Sequence, residues 1–259
     1  MIKTTKQSSL VIKTSLCFTF LVIWIIYRLK RNSADELVVS SFYCFRDRYL
    51  IDYIYPITRF LSQNLHIRDL FLITGSNSLD VLMLSYVALY VKIGNSWRGI
   101  LNLVLFYGIR GVIQNHITLN YYHTYLYTEP AFFSIFVPVF KSPDFFWSGH
   151  CGITLIGALQ FRNWGYKKTF YIGLLISFWE GVVMTSLRAH YSIDIIFGWL
   201  IAHHNFWMAD IVADIMDKRF NIFGKQFDSR MSIEFKKLQV SGIEESKIEE
   251  IKSKSDFKV

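Results

Sequence analysis

A chain of 259 residues with 52% hydrophobic and 17% aromatic residues and a positive mean hydropathy is too apolar for an ordinary soluble domain of its size. Its formal charge of +8 is scattered along the flanks of apolar runs rather than massed on one face, which argues for membrane topology and against nucleic acid. Cys17, Cys44 and Cys151 form neither a disulfide framework nor a zinc spacing, and no metal or cofactor is expected.

Apolar runs near the ~20 residues needed to cross a hydrocarbon core occur at about 10–27, 70–91, 99–119, 145–161, 169–187 and 191–213. They predict an all-α polytopic membrane protein, a bundle of six transmembrane helices. The first run contains Lys13, ends in Arg28, Lys30 and Arg31 and lacks a small-residue cleavage site, so it is expected to be a retained helix. In the connection 28–69, apolar Tyr49, Ile51, Tyr53, Ile57 and Phe60 alternate with Asp47, Arg48, Asp52 and Arg59. This pattern fits an amphipathic helix at the interface, bent at Pro56, or a loop packed on the bundle. The connection 120–143 is rich in tyrosine, phenylalanine and proline and leads into the fourth span as a lid, an aromatic platform or a set of headgroup anchors. Beyond residue 217 the composition turns to mixed charge, so the chain divides into a membrane domain 1–216, with its motif-bearing core at 97–213, and a cytosolic tail 217–259.

Lys92, Arg98, Arg162, Lys167, Lys168, Lys218 and Arg219 all fall on the side of the N-terminus and mark it as cytoplasmic, although Arg28, Lys30 and Arg31 oppose that orientation. The fourth and sixth spans then begin together on the lumenal or exoplasmic face. Each begins with a polar cluster, Ser148-Gly149-His150 and His190-Tyr191-Ser192-Ile193-Asp194. Ionisable groups at membrane depth cost about 2.5 kcal/mol or more each, which favours use over accident.

On a helix beginning near His190, Asp194 shares its face and fixes its tautomer, leaving the other ring nitrogen to attack phosphorus. Ser148 and Gly149 place a helix N-terminus where its amides favour phosphate oxygens, and His150 there is an acid/base for the leaving and entering hydroxyls. Arg110 and Arg188 are candidates for binding a phosphodiester, with Arg110 alternatively paired to Asp80 or Glu180. Asp144 and Glu129 are candidates for orienting His150 or for an acidic headgroup pocket, and the loop aromatics suit a quaternary ammonium group.

From about residue 97 to 206 the chain resembles the sphingomyelin synthase family of the lipid phosphate phosphatase superfamily, and its plant relative, phosphatidylcholine:diacylglycerol cholinephosphotransferase. The likeness rests on Arg98, Tyr107 and Arg110; on Asp144, Ser148, Gly149 and His150; and on His190, Tyr191, Ser192 and Asp194, with Phe206 downstream. Cys151 replaces a threonine of that pattern, and Ala209-Asp210 replaces the Tyr-His of sphingomyelin synthases. Gly198 and Arg110-Gly111 look more like the plant enzyme, and Met184 stands where lipid phosphatases carry an arginine. The resemblance implies a bundle of the lipid phosphate phosphatase type with His150, His190 and Asp194 as its catalytic triad. It also implies phosphocholine transfer from phosphatidylcholine to diacylglycerol or ceramide, in the endoplasmic reticulum or Golgi rather than the plasma membrane. A hydrolase using the same groups, or a non-enzymatic lipid transporter, is the alternative.

Overall fold

The computed structural model describes residues 13–16, 18–19, 48–114, 125–128, 134–137 and 147–220, all within one compact unit, Met1–Lys225. Most of the expected first span, the tail beyond residue 220, and Glu129 and Asp144 lie outside the described residues. Among the described residues a short helical stretch at 13–16 and 18–19 is followed by six helices: α1 (Arg48–Gln63), α2 (Leu65–Ile93), α3 (Arg98–Gln114), α4 (Gly149–Asn163), α5 (Lys167–Ser186) and α6 (Ser192–Phe220). Among the described residues there is no strand.

The expected second to sixth spans each coincide with one of α2 to α6, but two helices, α2 and α5, are long and apolar enough to cross a membrane. At 15 residues, α4 falls below the ~20 that a straight crossing needs, and α3 is described over 17 residues, up to Gln114. The 29-residue α6 is long enough but carries Asp194, His203, His204, Asn205 and Asp210 along its length. The segment around Pro56 is a helix, α1, rather than a loop, and Pro56 lies inside it.

Helices α5 and α6 turn rows of large apolar residues outward and rows of small and polar residues inward. On α5 the exposed residues are Tyr171, Ile172, Leu175 and Phe178, while Gly173, Ser177, Glu180 and Gly181 face inward. The same holds for α6, where Ile196, Leu200, Trp207, Ile211 and Ile215 are exposed over a buried row of Asp194, Gly198, Ala202, Asn205 and Ala209. Small residues let backbones approach and polar ones find partners inside the bundle, as lipid would require of a solvent-facing surface. Helix α4 sits at the centre, packed on α5, α6, α2 and α3. A Cβ at Gly173 would lie 2.8 Å from that of Ala158, which sets the close α4–α5 approach.

Opposite the motif-bearing end, the short α2–α3 turn is held from α6. Asp217 accepts the Trp97 N–H at 3.0 Å and the Ser96 hydroxyl at 2.5 Å, and Arg98 pairs with Asp210. Helix α6 thus continues beyond the composition change at 217 because the first acid of the charged segment has a structural partner. Burial pushes the Asp217 carboxyl above its ordinary range, against the opposing pull of Ser96, Trp97 and Arg98. A neutral isostere is therefore tolerated there better than a truncation. Asp217→Ala should lower stability by about 1–3 kcal/mol, and Asp217→Asn by clearly less, as read by thermal unfolding in detergent.

Candidate active site

The two polar clusters expected at one face form two adjoining helix starts. The Ser148 N–H donates to the Asp194 carbonyl at 2.8 Å, which joins the beginning of α4 to the first turn of α6. Gly198 makes the approach possible, since a Cβ there would lie 2.7 Å from the Ser148 carbonyl oxygen. Ser148 is the N-cap of α4, its hydroxyl accepting from the Cys151 N–H at 3.4 Å. His150, in the first turn, brings its ring to 6.0 Å from that of His190, centroid to centroid.

The pairing of His190 with Asp194 is present but arises differently from the sequence expectation. Helix α6 begins at Ser192, so His190 precedes it and shares no helical face with Asp194. Asp194 is the third residue of the helix, and its Oδ2 reaches back to accept the Tyr191 N–H at 3.0 Å, the backward half of a capping box. The same oxygen lies 3.4 Å from His190 Nδ1. Asp194 and His190 are both buried, and Asp194 Oδ1 has no hydrogen-bond partner among the described residues. The carboxylate that caps the helix therefore also sets the imidazole.

Arg110 enters from α3. Its Nε donates to the Trp147 carbonyl at 3.5 Å, and a Cβ at Gly149 would lie 3.1 Å from its Cζ. The guanidinium thus rests against the N-terminus of α4, where its charge adds to that of the helix dipole. It does not pair with Asp80, which accepts the backbone N–H groups of Ile135 and Phe136, nor with Glu180, whose carboxyl packs against Gly75 without a hydrogen bond. Trp147 takes a positive φ of 45° to turn the chain into the cap.

Arg188 is the other non-glycine with positive φ among the described residues, at 54°. It closes α5 in a Schellman turn, with Arg188 N–H donating to Thr185 O at 3.1 Å and Ala189 N–H to Met184 O at 2.9 Å. Its guanidinium lies over the Tyr55 ring at 5.8 Å, so α1 and the second motif meet there. Thr58 of α1 donates to Ser186 O at 2.9 Å and pins the same corner.

Tyr107 is half-buried and packs edge-on to Phe106, which itself fills the space over Gly152, so it belongs to the wall behind the α4 start. Tyr127, one of the aromatics of the 120–143 connection expected as lid, platform or headgroup anchors, places its ring 6.3 Å from that of His150. Trp147 and Gly198 also carry parts of the site; Gly198 had a signal as a small residue on an otherwise bulky helix, whereas a tyrosine amid loop aromatics has none. Among the described residues no group of three His, Cys, Asp or Glu side chains is placed to hold a metal ion.

A family model described as AtPDCT1/2, for phosphatidylcholine:diacylglycerol cholinephosphotransferases, matches residues 51–213, well over half of the chain and all six helices in part or whole. No curated protein and no solved structure gives a significant match.

The left-handed turn at Arg188 is a position that glycine fills at no steric cost. Arg188→Gly should leave unfolding temperature unchanged or slightly raised, by up to about 1 kcal/mol of stability. Gly198→Ala should do the reverse and lower both stability and activity, because the Ser148 carbonyl has to move.

Proposed function

Because the chain belongs to the phosphatidylcholine:diacylglycerol cholinephosphotransferase family, we propose that it moves phosphocholine from phosphatidylcholine to a lipid hydroxyl, through a phosphohistidine on His190. The observation that carries this reading is the arrangement of two histidine rings 6.0 Å apart, with Asp194 on Nδ1 of one of them. Two rings at that spacing reach a single phosphoryl group from both sides.

Asp194 holds the His190 proton on Nδ1 and assigns Nε2 to phosphorus. In the first step Nε2 attacks, the P–O bond to diacylglycerol breaks, and His150 gives its proton to the departing oxygen. In the second, an acceptor hydroxyl returns a proton to His150, its oxygen bonds to phosphorus, and the P–Nε2 bond breaks. Diacylglycerol is the acceptor that the family implies, and ceramide is the second candidate. Arg110, with Ser148, Gly149 and the first amides of α4, supplies positive charge for the phosphate oxygens, where charge develops in the transition state. Arg188 carries a second positive charge at the corner just before His190. Glu129, Asp144 and Tyr107 keep their proposed roles in contacting the headgroup or orienting the site. The bundle crosses the membrane with this end on the lumenal face of the endoplasmic reticulum or Golgi.

The test uses membranes containing the protein, headgroup-labelled phosphatidylcholine, and diacylglycerol or ceramide with acyl chains distinct from the donor's. Wild type should pass label to the new lipid. His190→Ala should abolish transfer, and His150→Ala should slow it by about 10²–10⁴-fold. Label released as free phosphocholine by wild type would identify a hydrolase instead. Equal label movement with wild type and His190→Ala would sink the catalytic reading.

A further inference from the structure

Two pieces of non-helical chain, 125–128 and 134–137, lie among the helices. Tyr127, Ser134 and Val137 are buried and the other residues of these pieces half-buried, so their N–H groups are best satisfied by partners inside the protein. In the first piece Leu126 N–H donates to Leu187 O at 2.9 Å, one residue before Arg188. The second is held by a side chain from the interior of α2. Asp80 accepts the Ile135 N–H on Oδ2 at 2.8 Å and the Phe136 N–H on Oδ1 at 3.0 Å. Ser134 Oγ accepts the next N–H, that of Val137, at 3.1 Å.

Both oxygens of one buried carboxylate are thus engaged with consecutive amides. An asparagine would not reproduce this, because its NH₂ group would face a backbone N–H. Asp80 stands in a helix long enough to cross a membrane, where a carboxylate without partners is costly, and two charge-assisted hydrogen bonds offset much of that cost. Ser134 and Val137 are almost fully buried. Val137 belongs to the same buried apolar cluster as Tyr127 and Cys151 and as Met184 and Leu187 at the end of α5. The segment that Asp80 holds is therefore packed into the same core as Tyr127, whose ring lies 6.3 Å from that of His150.

We propose that Asp80 is a positioning residue: it seats 134–137 as a barrier to water next to the reacting centre, so that the headgroup on His190 passes to a lipid hydroxyl. The inference rests on the transferase reading. Water and the lipid hydroxyl are competitors for one step. With water, its oxygen bonds to phosphorus, the P–Nε2 bond breaks, its proton goes to His150, and phosphocholine leaves. With diacylglycerol the same bonds change and phosphatidylcholine forms. A loosened wall favours the smaller acceptor.

The experiment measures two products from headgroup-labelled phosphatidylcholine with added diacylglycerol: label in the new lipid and label released as water-soluble phosphocholine. Full-length wild type is compared with Asp80→Asn, Asp80→Ala and Ser134→Ala. The released share should rise about tenfold in the Asp80 variants, as a change near 1.4 kcal/mol in relative barriers produces. Ser134→Ala should shift it the same way by less, and it carries the test if the Asp80 variants do not fold. A merely structural role would lower both products together, and an unchanged ratio in folded variants of a transferring wild type overturns the role of Asp80 alone. A wild type that only releases phosphocholine takes down the transferase reading, and this inference with it.

Discussion

The hydrogen bond from Ser148 N–H to the Asp194 carbonyl is the joint on which the rest of the site depends. It connects backbone to backbone across more than forty residues of sequence, and so fixes two helix starts against each other without asking anything of a flexible side chain. Everything reactive in the proposed mechanism is attached to one of those starts. His150 lies two residues past the donor, and Asp194 supplies the acceptor carbonyl while its carboxylate reaches Tyr191 and His190. The joint is short because Gly198 leaves the Ser148 carbonyl room, and Trp147 takes up the turn with a positive φ. A left-handed tryptophan costs about 1–2 kcal/mol, and the surrounding contacts hold it there. Its carbonyl then receives Arg110, so the strained residue also sets the position of the cation from α3.

Small and polar groups tie the helices together inside the bundle. A buried Ser177 donates to the Cys151 carbonyl at 3.0 Å while accepting from Trp199 at 2.9 Å, which ties α4, α5 and α6 together through one hydroxyl. Asn205 reaches across to the Asn102 carbonyl at 2.9 Å. Such bonds count for more where the competing partner is hydrocarbon than where it is water, though the measured worth is about 0.6–2 kcal/mol each. Glycines set the distances and polar side chains set the register, beside a buried apolar cluster that includes Leu72, Met83, Val183 and Leu187.

Much of this was legible in the sequence, and its limits follow from how each feature is encoded. Apolar runs placed α2 to α6 because length and hydropathy are local properties. The Ser148 cap was readable because serine before a glycine-rich helix start has a short-range meaning. His190 and Asp194 were paired correctly for a reason that the structure corrects: the spacing of four suggested one helical face, whereas the contact is made by a cap reaching backward from the third helical position. Arg188 shows the opposite failure, since no local rule puts arginine in a left-handed turn. Tyr127 and Asp80 were out of reach for another reason. Their roles depend on where loop segments return to the bundle, and the sequence between α3 and α4 carries aromatic composition without periodicity.

The chain ends two of its helices in the same way and fills the critical position differently. Helix α4 closes with Gly165 at φ 89°, its N–H bonding Arg162 O and that of Tyr166 bonding Phe161 O, the arrangement that Arg188 and Ala189 repeat at the end of α5. Glycine at the first is what backbone freedom prefers. Arginine at the second carries a steric cost of about 1–2 kcal/mol. Part of that cost is returned locally, because a cation near a helix C-terminus gains about 0.3–1 kcal/mol from the dipole and the guanidinium lies over an aromatic face. These two gains offset much of the steric cost. The difference between the turns is their position: one faces away from the motifs, and the other stands two residues before His190. In the proposed mechanism the arginine at the second turn adds a positive charge beside the phosphate that His190 carries.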